Sequence, residues 1–455
     1  MRNRITEWSP STWLVRVIGA AVAIGAFQSS NVFAQAGYYL TPSLNLTESY
    51  DDNIFSTPQN LRQPTPVPTP GATPSAATTP APRANKTDDF VFRADPGIEG
   101  GYQSEPFTLL AGYKFGTDVY AKNSDLNAAP ARQAATLNGS YLPDPLLTFA
   151  VSGGYFESNQ ARDLNAPVTS TTSPATGLPV TALESARSRA EVYSAAPSAT
   201  YLFTPLTTLN GGYNFSHTHE LGAASGDSHS ARAAVTRDVT ENDKVDLAYT
   251  FRYFSFEQGG LTSPAAQPNP QGSPTPVPTP VPTTFRSEES SHAVTLGWAR
   301  QLTELTRIEL RGGPRFREGS VDPEAQAVLA RRLERGEANF SYERTQTASV
   351  GLVGALEAET FSGGVRYDVL ENLSTSLTLG LFRSSQNTET ADVYTANLAA
   401  RYRLLEWLSL IGTYTFSYQK GLVGTTTVAS GNNNERFYHN IVTVGIEATE
   451  PFRVY

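Results

Sequence analysis

A chain of 455 residues with 39% hydrophobic content, a mean hydropathy of −0.31, no Cys and a formal charge of −9 is not a helical membrane protein, which needs runs of about 20 apolar residues. The missing Cys excludes a thiolate metal site, a disulfide framework and a lipoprotein anchor, and the acidic balance argues against a nucleic-acid partner. A transmembrane barrel passes all of these filters, because each strand gives only about half its residues to lipid.

At the N-terminus Arg2, Arg4 and Arg16 flank and precede an apolar run from Val17 to Phe27. Small-residue cleavage options follow at Val32-Phe33-Ala34 and Ala34-Gln35-Ala36. The run is too short to span a bilayer, so residues 1–36 are expected to be a secretory signal peptide, with a single-pass anchor as the alternative. The mature chain, 37–455, then begins with an alternating strand from Tyr38 to Ser49 that ends in Tyr50-Asp51-Asp52-Asn53-Ile54-Phe55. A Pro/Thr-rich stretch over 56–86 has too little apolar content to fold and is expected to be extended. Asp89–Gln103 returns as a strand, and from Phe107 the period of two is clear: Phe107, Leu109, Ala111, Tyr113 and Phe115 on one face, Thr108, Gly112, Lys114 and Asp118 on the other.

The same unit recurs along the chain. Leu147, Phe149, Val151 and Tyr155 share a face, then Leu209, Tyr213 and Phe215, then Val245, Leu247, Tyr249, Phe251 and Tyr253. Leu408, Leu410, Gly412, Tyr414, Phe416 and Tyr418 repeat the pattern near the end, opposite Ser409, Thr413, Thr415 and Ser417. Short polar turns fall near residues 105, 144, 204, 242, 303, 335, 372 and 406, and they alternate with connections that are often long, near 56–86, 160–186, 258–285 and 420–435. Segregation of loop length by parity is the signature of an outer-membrane barrel, with short periplasmic turns and long extracellular loops.

One stretch resists this pattern. Asp322-Pro323-Glu324 opens like a helix, and Ala325, Val328, Leu329 and Leu333 fit a helical stripe. A helix there would leave an odd strand count and put the two chain ends on opposite sides of the membrane, whereas single-chain bacterial barrels have even counts. Parity therefore favours a strand at 322–334. The fold class is all-β, a transmembrane antiparallel β-barrel of about 18 strands, or about 16 if one hairpin is a surface feature. The last membrane strand is expected to finish near Ala448, because Pro451 and Arg453 break the alternation and leave a short periplasmic tail.

Export signal, alternating strands, Tyr50-Asp51-Asp52-Asn53-Ile54-Phe55 and Asp95-Pro96-Gly97 together resemble the outer-membrane β-barrel porin 2 family. The resemblance runs through most of the mature chain, although only the Tyr50–Phe55 stretch is a sharp motif. It implies a barrel in the bacterial outer membrane and, more loosely, transport; members are often encoded among exopolysaccharide-export genes. It assigns no catalytic residue.

Residues opposite the apolar faces are expected to line the lumen: Lys114, Asp118, Asp246, Arg252, Arg307, Glu309, Arg311, Arg315, Arg366, Arg401 and Arg403. Arg317 and Asp368 share that parity. Such charges pair across strands to stiffen the wall, or form a basic ladder that draws anionic solutes, and both can hold at once. Asp51, Asp52 and Asn53 read as a strand-ending turn, with a surface cation site as the alternative. Tyr155, Phe215, Tyr253, Tyr418, Trp298 and Trp407 read as interface girdles. His217 and His219 share a face that points outward and lack a third ligand, so no metal and no cofactor are expected. No nucleophile motif surrounds any of the five His, and an enzyme is not expected. Expected partners are outer-membrane lipid, lipopolysaccharide and the barrel assembly machinery, with a polysaccharide as a further candidate; the oligomeric state is open. The functional expectation is a porin-like channel for small polar or anionic solutes. The alternative is a non-conducting structural or adhesive barrel that displays the Pro/Thr-rich loops, in which Pro-Thr-Pro-Val-Pro-Thr-Pro occurs at both 64–70 and 274–280.

Overall fold

The computed structural model describes residues 37–56, 87–160, 162–165, 183, 188–220, 224–262, 281–350, 352–386, 389–421 and 436–454. The expected signal peptide, most of the Pro/Thr-rich stretches and Tyr455 lie outside them. Alternation of apolar and polar residues gives long strands almost throughout. The first nine are β1 (Gly37–Asp51), β2 (Asp89–Gln103), β3 (Phe107–Tyr120), β4 (Ala128–Asp144), β5 (Leu147–Ser158), β6 (Ala190–Thr204), β7 (Thr207–Glu220), β8 (Ala224–Asp238) and β9 (Asp243–Thr262). Then come β10 (Val281–Thr303), β11 (Thr306–Arg317), β12 (Ser320–Leu333), β13 (Gly336–Thr347), β14 (Leu356–Leu370), β15 (Leu373–Gln386), β16 (Glu389–Arg403), β17 (Leu408–Lys420), β18 (Arg436–Thr449) and the short β19 (Phe452–Val454).

Consecutive strands from β1 to β18 pair antiparallel, and β1 pairs with both β2 and β18, so the sheet closes into a barrel of 18 strands. Closure leaves no sheet edge, as a wall in hydrocarbon requires. The connections at 104–106, 145–146, 205–206, 239–242, 304–305, 334–335, 371–372 and 404–407 gather at one end together with both described chain ends. At the other end lie the described residues of the remaining connections: 52–56, 87–88, 121–127, 159–160, 162–165, 183, 188–189, 318–319, 348–350, 352–355 and 421. These are called the turn end and the loop end below.

The segment with helical propensity is strand β12. Its outward residues Val321, Ala325, Ala327 and Leu329 are apolar, and of its inward residues Asp322, Glu324, Gln326 and Arg332 are polar while Val328 and Ala330 are not, so a period of two coexists with the helical one. Pro323 lacks an N–H, yet no ladder bond is lost on the β13 side, where pairing begins only at Ala325. Pro314 stands opposite it on β11, and the β10–β11 register skips Gly313 and Pro314.

Two expected boundaries shift. The loop assigned to 258–285 is narrower, because β9 and β10 continue pairing to Thr262 and Val281; a hairpin satisfies its own backbone and can extend past the apolar band. The C-terminal tail is not free either. After a break at Glu450-Pro451, where proline supplies no donor, the ladder resumes and Phe452, Arg453 and Val454 pair with Leu40, Tyr39 and Tyr38.

Deleting 452–455 removes this last stretch of the seam. The expected outcome is a lower yield of heat-modifiable barrel and a lower temperature of mobility shift in detergent gels; unchanged yield and temperature would contradict a seam role.

Candidate functional site

Contacts that only a concave surface permits identify the inner face. Arg252 on β9 reaches Glu324 on β12 through Nη1 at 2.8 Å and Nη2 at 2.7 Å. Arg311 on β11 likewise reaches Asp246 on β9 at 3.1 Å. These contacts pass over two strands and one strand respectively, which is geometrically open only across the hollow of a curved sheet. Residues of the other parity, such as Leu247, Tyr249, Leu296, Leu310, Leu329 and Val365, are exposed and apolar. All the sequence candidates lie on the inward parity: Lys114 and Asp118 on β3, Asp246 and Arg252 on β9, Arg307, Glu309, Arg311 and Arg315 on β11, Arg366 on β14, Arg401 and Arg403 on β16.

Most of these charges are paired. Arg311 donates from Nε and Nη2 to Asp246 at 3.2 and 3.1 Å, and Arg232 stands 3.8 Å from the same carboxylate. The Arg315 side chain is 0% exposed and ringed by Glu357 and by Asp322 and Glu324, each at 3.8 Å. Arg317 spans Glu289 at 3.0 Å and Asp322 at 3.3 Å. The wall from β8 to β14 is therefore a lattice of alternating signs, the pairing reading of the ladder. A second lattice holds Asp118 between Arg132 at 2.7 Å and Arg93 at 3.5 Å, with Arg132 also 2.7 Å from Asp95. Arg307 pairs with Glu309 on its own strand in an exposed position. Arg401 meets Glu447 at 3.2 Å. By contrast, among the described residues no carboxylate lies within 4.0 Å of the charged group of Lys114, Arg366 or Arg403.

Between β13 and β17 the inner wall changes character. Cross-strand neighbours form rows: Glu337, Arg366, Ser376, Ala399 and Thr413, and next Asn339, Gly364, Thr378, Asn397 and Thr415. The third row runs Ser341, Ser362, Gly380, Thr395 and Ser417. Small side chains here leave a cavity of about 790 Å³. Gly364 and Gly380 matter because a Cβ would fall 2.7 Å from Asn339 Oδ1 and 2.6 Å from Thr395 Oγ1.

Toward the loop end the interior turns apolar. The connection between β13 and β14 folds inward and joins three buried clusters. Val350 packs in a cluster with Leu164, Ala190 and Val192; Ala355, with Ala348 and Val353, meets Phe254 and Phe256. Leu356, with Leu352, joins Leu183, Phe382, Ala391 and Val393. One short segment thus contacts the β6, β9 and β15–β16 walls, narrowing the lumen. The sequence reading did not single it out. Its signal was the apolar run Val350, Leu352, Val353, Ala355 and Leu356 at a position where the other connections are polar.

The Tyr50–Phe55 motif works at the seam. Asp51, 1% exposed, accepts from Asn53 N at 2.8 Å and lies 2.6 Å from His439 Nε2. Asp52 accepts from Asn440 N at 2.8 Å and Nδ2 at 2.7 Å, and Asn53 Nδ2 donates to Tyr438 O at 3.2 Å. Ile54 and Phe55 pack with Val91 and Tyr120, while Tyr50 contacts Phe90 with ring centroids 5.2 Å apart. The expected strand-ending turn is present and also ties β1 to β18. Ligand atoms of Asp51, Asp52 and His439 lie within 4.8 Å of one another, a cation-compatible spacing, but these carboxylates are already accepting protein hydrogen bonds. Outside the strands, Lys122 Nζ donates to Asp88 at 2.6 Å, a shared hydrogen bond that lowers the Asp88 carboxyl and raises the Lys122 ammonium.

Outward-facing aromatics form chains near the membrane boundary. Tyr155 and Tyr193, Phe215 with His229 and Tyr253, and Tyr394 with Tyr418 and Tyr438 are in ring contact. Trp298 donates to Asp243 at 3.1 Å near the turn end. His217 and His219 point outward as expected; His217 bonds Asp227 at 2.7 Å. His229 and His292 join the same belt, bonded to Tyr213 at 2.6 Å and Tyr249 at 2.7 Å.

No family model matches the chain, and no curated protein does. Among solved structures it is similar to the ferric-catecholate import receptor Fiu from E. coli K12, at 8% identity and a TM-score of 0.45, over 93% of this chain and 82% of that one. It is also similar to OccAB4 from Acinetobacter baumannii, at 9% identity and a TM-score of 0.40, over 93% and 100% of the two chains. The siderophore receptor PirA from Pseudomonas aeruginosa gives 8%, 0.40, 93% and 82%. Likenesses this distant carry no weight here, and the barrel assignment rests on the closed ladder itself.

Arg315→Leu leaves Asp322, Glu324 and Glu357 crowded without their shared cation. It is expected to destabilise the barrel by about 3–5 kcal/mol, seen as a lower urea midpoint. Arg307→Gln removes an exposed pair worth roughly 0–1 kcal/mol and leaves the midpoint nearly in place. Equal midpoints for the two variants would contradict the lattice.

Proposed function

We propose that the chain is an outer-membrane channel for small polar solutes, with its turn end in the periplasm and its loop end outside. The observation that supports it most is the inner wall. It is polar through the membrane zone and, from β13 to β17, steps back around a cavity of about 790 Å³. A lumen that served only as a stiff core would be filled by side chains, as small barrels are. Because the arginines of β9 and β11 are matched by carboxylates, we propose weak charge selection rather than the anion preference that an unpaired ladder gives. Lipid and lipopolysaccharide would contact the outward face, and insertion would need assembly machinery, since strands expose unpaired edges until closure. No catalytic role is proposed.

A second reading, a non-conducting structural or adhesive barrel, draws support from the apolar contacts of residues 348–355 across the interior. Planar-bilayer recording separates the two. The channel reading expects a small conductance from the native protein and a larger one from Val350→Asp and Leu352→Asp, because a carboxylate cannot remain in those apolar contacts without a partner. Silence from the native protein and both variants would sink the channel and leave the structural barrel.

A further inference from the structure

The cavity between β13 and β17 is rich in hydrogen-bonding groups not committed to other side chains. Asn339, Ser376, Thr378, Thr395 and Thr413 line it, and none has a side-chain hydrogen-bond partner among the described residues. At its turn-end edge Glu337 and Arg366 face each other across β13 and β14, and a neighbouring cavity of about 120 Å³, which shares Arg366, Ser374 and Arg401 with it, adds Asp368, Glu371 and Arg403. Three carboxylates and three guanidinium groups thus line the two cavities, so no net field favours an ionic ligand of either sign. At its loop-end edge the space is closed by Phe382, part of the buried apolar cluster with Leu356 and Val393.

We infer that this cavity is a binding site for an uncharged polyhydroxylated solute of oligosaccharide size. Guanidinium groups only donate and carboxylates only accept, whereas hydroxyl and carboxamide groups do both. A ligand whose own hydroxyls donate and accept satisfies all of them at once, and an inorganic ion or an apolar molecule does not. The volume lies in the range of about 300–1,000 Å³ that holds small-molecule ligands. The inference rests on the channel reading for its biological meaning, since a solute held on the inner wall is one in transit. The chemistry of the cavity stands apart from that reading.

Maltotriose is the probe, with citrate as the charged control. In planar bilayers maltotriose is expected to block the current of the native protein in a saturable way, while citrate does not. Titration calorimetry on the detergent-folded barrel should give the same affinity. The double variant Ser376→Ala/Thr378→Val, and separately Arg366→Met, should each weaken maltotriose about ten-fold while heat-modifiable mobility shows both folded. Conductance without block and without binding heat overturns the inference and leaves the channel reading standing. Binding heat that the variants abolish, in a protein that never conducts, supports the site and overturns the channel. Block by citrate equal to that by maltotriose overturns the uncharged-ligand assignment.

Discussion

In hydrocarbon an unpaired backbone amide costs several kcal/mol, and the rest of this structure follows from meeting that demand at every residue of a wall. The first strand must find the last, and it does so over a long register from Ser43 opposite Thr449 to Asp51 opposite Ile441. Seam ends are where such a ladder would fray. At the loop end Asp51, Asp52 and Asn53 add side-chain bonds to the β18 backbone and to His439. At the turn end β19 resumes the pairing beyond a proline break. The motif most visible in the sequence is thus explained by closure.

Once the wall is closed, alternation divides every strand between lipid and lumen, and the lumen inherits the charges. A buried arginine is tolerable only with carboxylates around it, and Arg315 has three. Charge matching on one side fills the interior with long side chains; on the other side Ser, Thr, Asn and Gly keep it open. The asymmetry gives the barrel a charge-matched sector and an open sector between β13 and β17, with an apolar narrowing from residues 348–350 and 352–355 toward the loop end.

Much of this was legible in the sequence because a strand's period is local. Face assignments for Arg307 to Arg315, Arg401 and Arg403 needed only alternation. The count of 18 needed only parity, which overrode the helical stripe of Ala325, Val328 and Leu329. What was not legible depends on partners far along the chain. Arg315 finds Glu357 and Asp51 finds His439, and no local pattern specifies either pair. The inward fold of the short apolar connection between β13 and β14 was not legible either, because its partners lie on β6, β9 and β15–β16.

On this structure β17 divides lipid from lumen with a period of two. The chain has no Cys, so single cysteines can be placed from Leu408 to Lys420 and probed in membranes with a charged, water-borne thiol reagent. Labelling is expected at Thr413 and Thr415 on the inner wall, and protection at Leu410, Gly412 and Tyr414 on the lipid face. Uniform labelling, or labelling of the opposite set, would contradict it.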